Sequence, residues 1–156
     1  MSRLRFRNLT ADPTDPVETW PTEGVIAALE RGSLADWRRL AAAVRADPWG
    51  PAARRLEAAL RAVRPYGVAV LMDQVLGRAR TDAEAAERHE VARRVGALLE
   101  ASGLDRAGFA ERIGTSTSRL STYLSGKVAP GSRLLVRMER VAEARARGSC
   151  RQRPAP

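Results

Sequence analysis

From Thr22 onward the apolar positions recur at spacings of three and four residues, the period of an amphipathic helix, and polar residues fill the other face. Thr22 is placed to cap a first helix ending near Gly32. Ser33 and Asp36 form an S-x-x-D capping pair ahead of a second, with Leu34, Trp37, Leu40, Ala41 and Val44 on one face. Asp47-Pro48 reads as a cap followed by proline at the first helical position; Trp49, Ala53, Leu56, Leu60 and Val63 then make a narrow seam that Pro65 ends. Val68, Leu71, Met72, Val75 and Leu76 line a fourth helix. Thr81 and Glu84 form another capping pair, predicting a helix to Ser102, stopped by Gly103, with Val91, Val95, Leu98 and Leu99 as its stripe. The start of that helix, DAEAAERHE, is polar all round and reads as a helical connector. Ser132 is expected to cap a last helix carrying Leu134, Leu135, Met138, Val141 and Ala142.

The two ends differ. Residues 1–21 are broken by Asp12-Pro13, Asp15-Pro16 and Trp20-Pro21, which disfavour helix. Leu4 and Phe6 alternate with Arg3, Arg5 and Arg7, which suits a short edge strand or an extended arm. Such an arm either enters a minor groove or docks on its own domain. After Gly148 the tail SCRQRPAP is expected to be disordered. The pattern predicts an all-α protein: an N-terminal domain of about four helices over residues 1–80, a second domain over 81–148, and a tail over 149–156.

The segment RAGFAERIGTSTSRLSTYLS, Arg106 to Ser125, meets the steric demands of a helix-turn-helix. Ala110 is small where two helices approach closely. Gly114, four residues on, stands where the chain must turn with positive φ. Leu120, six further, points into the shared core, with Phe109, Ile113 and Tyr123 at the other buried positions. Ser116 is placed to cap the second helix and Gly126 to end it.

From Leu104 to Met138 the segment LDRAGFAERIGTSTSRLSTYLSGKVAPGSRLLVRM resembles the DNA-binding domain of the XRE family, which is λ-repressor- and Cro-like. The features that carry the resemblance are Phe109-Ala110, Gly114, Ser116, Leu120, Ser125-Gly126-Lys127, Pro130 and Leu134-Leu135-Met138; with the preceding helix it covers about 60 of 156 residues. The resemblance implies that the second helix of the pair lies in the major groove of double-stranded DNA. Thr117, Ser118 and Thr122 would then face the bases, and Arg119 and Ser125 would flank them, reaching bases or phosphates. Arg106, where the family often has a phosphate-binding glutamine, would clamp a phosphate; Lys127 would offer its charge and backbone N–H to the same strand. Leu124 replaces a glutamate common in the family, so the family's sequence preference does not carry over. Ser and Thr discriminate bases weakly, and Arg119 is the one candidate for a bidentate guanine contact. That argues for a homodimer or for indirect readout.

Charge supports the same half of the chain. Of 27 basic residues all but Lys127 are arginine, a bias that a GC-rich genome also produces, so the count alone decides nothing. Residues 1–87 hold 13 arginines against 12 acids, net +1, whereas residues 88–156 hold 14 basic residues against 6 acids, net +8. Cys150 and His89 are the single cysteine and histidine, so neither an internal disulfide nor a Cys-based metal site can form, and His89 lies on a charged, exposed stretch. No nucleophile–base pair, Gly-rich phosphate loop or cofactor motif stands out; the expectation is no enzyme and no cofactor. Trp20, Trp37 and Trp49 are read as core anchors, with an effector pocket among them as the alternative. No apolar run reaches a membrane span and no signal-peptide core follows the N-terminus, so the expected location is the cytoplasm, at the nucleoid.

Three functions fit. The first is a sequence-specific transcriptional regulator, a repressor of its own operon, which binds DNA through the helix-turn-helix as a homodimer, the N-terminal domain dimerising or binding a partner. The second is the antitoxin of a toxin–antitoxin pair, whose N-terminal domain grips the toxin. For this the stretches WPTEGVIAALERGSLADWRRLAAAVRADPWGPAARRLE and RPYGVA resemble actinobacterial regulators paired with nucleotidyltransferase-type toxins. The third is a nucleoid-associated protein of low specificity, suggested by the hydroxyl-rich reading helix.

Overall fold

The computed structural model describes residues 4–7 and 9–150, the last two for the backbone alone. Among the described residues the fold is all-α, with seven α-helices and no strand: α1 (Thr22–Arg31), α2 (Leu34–Ala46), α3 (Pro51–Ala62), α4 (Val68–Ser102), α5 (Arg106–Ile113), α6 (Thr117–Leu124) and α7 (Ser132–Cys150). The chain divides into two compact units, residues 1–83 and 84–156, and α4 belongs to both.

In the first unit α3 is central, touching α1, α2 and a single 3-10 turn at Val17–Thr19. Its inward face alternates Ala52, Ala53 and Ala59 with Leu56 and Leu60, all buried; the small residues let α1 approach closely. Val25, Ala28 and Leu29 of α1, Leu40 and Val44 of α2, and Met72 and Leu76 of α4 complete the core. The capping box at Ser33 and Asp36 forms as expected, with hydroxyl and carboxylate each accepting a backbone N–H from the other residue.

The N-terminal segment docks on its own unit. Leu4 is buried, and Phe6 meets the wholly buried Trp20 edge-on at 5.2 Å between ring centroids, while Arg5 and Arg7 stay exposed. The predicted two-residue alternation is therefore present, but neither a strand nor a free arm results; Arg3 lies outside the described residues. Trp20 organises this corner: its indole N–H donates to the Asp15 carbonyl at 3.1 Å, and the Arg39 guanidinium lies 5.1 Å from its ring centroid. Arg39 also donates to the carbonyls of Pro13 (2.6 Å) and Asp15 (2.8 Å), which no helix could satisfy.

Several boundaries differ from expectation for local reasons. Pro21, not Thr22, is the N-cap of α1. The third helix starts at Pro51 rather than at Pro48, because Asp47 closes α2 and its carboxylate turns back to accept the Trp49 N–H at 3.3 Å. That carboxylate sits where a Cβ at residue 50 would be, 2.1 Å from Oδ2, so Gly50 is what the turn admits. Trp49 consequently leaves the seam and is 47 % exposed, stacked on the Arg80 guanidinium at 4.8 Å. Leu34 and Leu71, placed on buried faces by their spacing, are exposed as well. No helix starts at Thr81: its hydroxyl donates to the Gly77 carbonyl at 3.0 Å inside an unbroken α4. The run of Ala, Glu and Arg there favours helix strongly enough to override the capping signal. The division between units accordingly falls at 83/84 rather than 80/81. At the other end α7 continues to Cys150, two residues past the expected stop at Gly148; residues 151–156 of the predicted tail lie outside the described ones.

Arg80 ties α4 to the loop before α3, donating to the Pro48 carbonyl at 3.3 Å and to the Glu57 carboxylate at 3.1 Å. The hydrogen bond and charge of Arg80, with Arg61 adding a smaller share, hold the Glu57 pKa below the ordinary carboxylate range. A depressed carboxylate stabilises the fold at neutral pH and loses that contribution as pH falls through its folded-state value. Arg80→Gln is expected to lower the melting temperature at pH 7, and the gap from wild type should narrow by pH 3; a gap independent of pH would show that the stacking on Trp49, not the Glu57 pair, carries the effect.

Candidate nucleic-acid interface

In the second unit, Val95, Phe109, Ala110, Ile113, Leu120, Tyr123 and Met138 form the buried core, with Val91, Leu98, Leu99, Leu134, Leu135 and Val141 packed against it. Every apolar position that spacing assigned to α5, α6 and α7 is found in or against this cluster or, for Ala142, buried beside it.

The α5–α6 pair is built by local chemistry. The Asp105 carboxylate caps α5, accepting the Gly108 N–H at 2.8 Å. Gly114 ends α5 at φ 76°, ψ 44°, its N–H bonding back toward Ala110 and Glu111, while the Thr115 N–H bonds to the Ala110 carbonyl at 2.9 Å. The left-handed backbone costs an L-residue about 1–2 kcal/mol, which glycine avoids. Ser116 then caps α6 as predicted, its hydroxyl accepting the Arg119 N–H at 3.2 Å. Only Gly114, Thr115 and Ser116 separate the helices.

This turn fixes which side of α6 is free. Leu120 and Tyr123 are buried, whereas Thr117, Ser118, Arg119, Ser121 and Ser125 are exposed and Thr122 is half-buried. Arg106, the first residue of α5, and Lys127, after α6, are exposed too. Of the residues that the family resemblance implies for DNA contact, Thr117, Ser118, Arg119, Ser125, Arg106 and Lys127 lie on open surface and Thr122 is half-buried. The hydroxyls fall into two chemical groups. Thr122 donates to the Arg119 carbonyl at 2.7 Å, Ser125 to the Thr122 carbonyl at 3.1 Å and Ser121 to the Thr117 carbonyl at 3.0 Å. These three protons are engaged by the helix, so the oxygens present mainly acceptor lone pairs outward. Among the described residues Thr117, Ser118, Arg119, Arg106 and Lys127 make no side-chain hydrogen bond or ion pair, and all their donors are available.

Three features escaped the sequence reading. Asp105 was legible as a helix cap, an acid three residues before Gly108. Ser121 lies on the exposed face with the predicted residues. Arg137 of α7 reaches back to the end of α5, donating to the Ile113 carbonyl at 3.4 Å, a long-range contact that no local pattern announces.

The charge asymmetry is softer at the structural boundary than at residue 87. Residues 1–83 hold 13 arginines and 10 acids, net +3; residues 84–156 hold 14 basic residues and 8 acids, net +6. How the arginines are used separates the units more sharply. In the first, Arg39, Arg55, Arg61, Arg64 and Arg80 are bound to carbonyls or carboxylates. In the second, the ion pairs among the described residues are Arg93–Glu90 and a loose Arg147–Glu143 contact at 4.0 Å. Cations that the fold does not use are the ones available to phosphates.

A cavity of about 790 Å³, whose lining includes Leu4, Phe6, Asp12, Ser33 and Arg39, contains none of the three tryptophans. No group of three metal-ligating side chains occurs among the described residues. None of the described helices is long and apolar enough to cross a membrane. No family model matches the chain, and neither a curated protein nor a solved structure matches it. The likeness to the XRE family rests on the quoted residues.

Ser116→Ala should cost about 1 kcal/mol of stability, the usual worth of an N-cap, whereas Thr117→Ala, one residue on and without a partner, should leave the denaturation midpoint unchanged. Urea unfolding of the two variants checks both; equal effects would remove the distinction between capping and free hydroxyls.

Proposed function

We propose that the second unit is a helix-turn-helix DNA-binding module and that the protein is a sequence-specific transcriptional regulator acting as a homodimer on chromosomal DNA inside the cell. The observation that carries this reading is the α5–Gly114–α6 geometry: a three-residue turn buries Leu120 and leaves Thr117, Ser118 and Arg119 as unpartnered donors at the N-terminal end of α6. A helix presenting its first residues in this way suits the major groove, where they meet base edges. Arg106 and Lys127 at the two ends of the pair supply phosphate contacts that fix the register without reading sequence. Arg119 supplies the sharpest base contact, bidentate to a guanine.

One observation favours a second reading, a low-specificity chromosome-binding protein. The protons of Ser121, Thr122 and Ser125 are held by the helix backbone, which narrows the reading code to Thr117, Ser118 and Arg119.

Fluorescence anisotropy of the full chain on a labelled duplex from its own upstream region separates the two. Specific regulation predicts tight binding there, weak binding to a shuffled duplex, and a loss of about five- to 150-fold on Arg119→Ala, the 1–3 kcal/mol of a bidentate base contact. Equal affinity for both duplexes favours the low-specificity reading. Absence of duplex binding, or binding indifferent to salt, overturns both.

A further inference from the structure

The outward face of α7 is a second basic surface, apart from α6. Its inward face is settled by Leu134, Leu135, Met138, Val141 and Ala142, which pack into or against the core. Positions 133, 136, 137 and 140 fall on the opposite side of a 3.6-residue helix, and there stand Arg133, Val136, Arg137 and Arg140, all exposed. Together with Ser132 they line a shallow depression of about 350 Å³. None of the three arginines has a carboxylate partner among the described residues, and Arg137 spends one N–H on the Ile113 carbonyl, which anchors the patch beside the turn leading into α6.

We infer that this face of α7 binds the phosphate backbone of a nucleic-acid duplex. Three unneutralised guanidinium groups spread over eight residues repel one another, a cost that a polyanion removes. They span about 10 Å of helix, a length over which a duplex carries about six phosphate charges. Forked guanidinium donors suit phosphate oxygens. A second copy of this face is a poor partner, because like charges would meet. An anionic membrane is a poor one as well: the apolar side of α7 is buried in the core, and Val136 alone offers an exposed aliphatic group among the arginines. Phosphates carry no sequence information, so this surface adds affinity and orientation to whatever α6 reads.

The inference rests on the DNA-binding reading, and salt dependence tests the two separately. Affinity of the full chain for one duplex is measured between 50 and 200 mM salt for wild type and for Arg133→Gln/Arg140→Gln, whose altered side chains hold no partner. The double variant should melt at or slightly above the wild-type temperature, since it loses repulsion and no partner. Its slope of log affinity against log salt should fall by about 1.8, two phosphates released, equally on specific and shuffled duplexes. A wild type that binds no duplex overturns the DNA-binding reading itself. A wild type that binds, with an unchanged slope in the double variant, overturns this inference alone. Wild-type binding to phosphatidylserine vesicles that matches duplex binding and is lost in the double variant also overturns it, in favour of a lipid surface.

Discussion

Everything that makes α6 usable depends on one short reversal of the chain. Gly114 adopts a left-handed backbone that returns two N–H groups to the last turn of α5, and Ser116 caps the next helix two residues later. With so little chain between them, the angle between the helices is decided by what meets in the crook, namely Ala110, Ile113 and Leu120, all essentially fully buried. A longer or looser turn would still allow two helices, but it would not decide which side of α6 is buried. Because Leu120 and Tyr123 must face the core, Thr117, Ser118 and Arg119 must face away from it. The exposed constellation is thus a by-product of packing. That explains how weakly discriminating side chains can hold well-defined positions.

The turn was readable in the sequence because its causes are local. A glycine, a small residue four before it, an aliphatic six after it and a hydroxyl cap are all short-range demands, and all four are met as expected. The first unit was less transparent where local signals competed. At residues 47–51 the Asp47-Pro48 pair signalled a helix start, but the Asp47 carboxylate folds back over Gly50 and the helix begins at Pro51. At Thr81 a capping pair lost to uninterrupted helix propensity on both sides, so α4 runs through the division between units. The N-terminal alternation gave the correct inward residues, Leu4 and Phe6, but could not say that Trp20 would receive Phe6. Contacts of that kind join residues far apart in sequence, where periodicity is silent.

The arginines show why composition is a poor guide to function here. Arg39 supplies donors to carbonyls in a proline-broken segment, Arg55 does the same for the Glu18 carbonyl, and Arg80 combines a carbonyl, a carboxylate and an indole ring. In that unit arginine acts as a structural crosslink, compensating for backbone that helices leave unsatisfied. In the second unit caps and continuous helix satisfy most of the backbone, Arg137 alone reaching a main-chain carbonyl, and most guanidinium groups are left over. Net charge registers this difference only faintly, as +3 against +6.

An unpaired arginine on a surface is ordinary; three on one face of a single helix, none of them paired with an acid of that helix, are less so. Glu139 and Glu143 are the acids of α7, and only Glu143 pairs, loosely, with Arg147. Neither neutralises Arg133, Arg137 or Arg140: Arg133 and Arg137 have no acid three or four residues away, and Glu143, three residues from Arg140, pairs with Arg147 instead. The fold does not need such pairs, since the buried side of α7 already holds it in place through Met138 and its neighbours. Held there by packing, the outer face is free to keep its charge. The same logic operates on α6: burial of one side of each helix fixes the other side, and that side includes donors without acceptors, Thr117, Ser118 and Arg119 on α6 and Arg133 and Arg140 on α7.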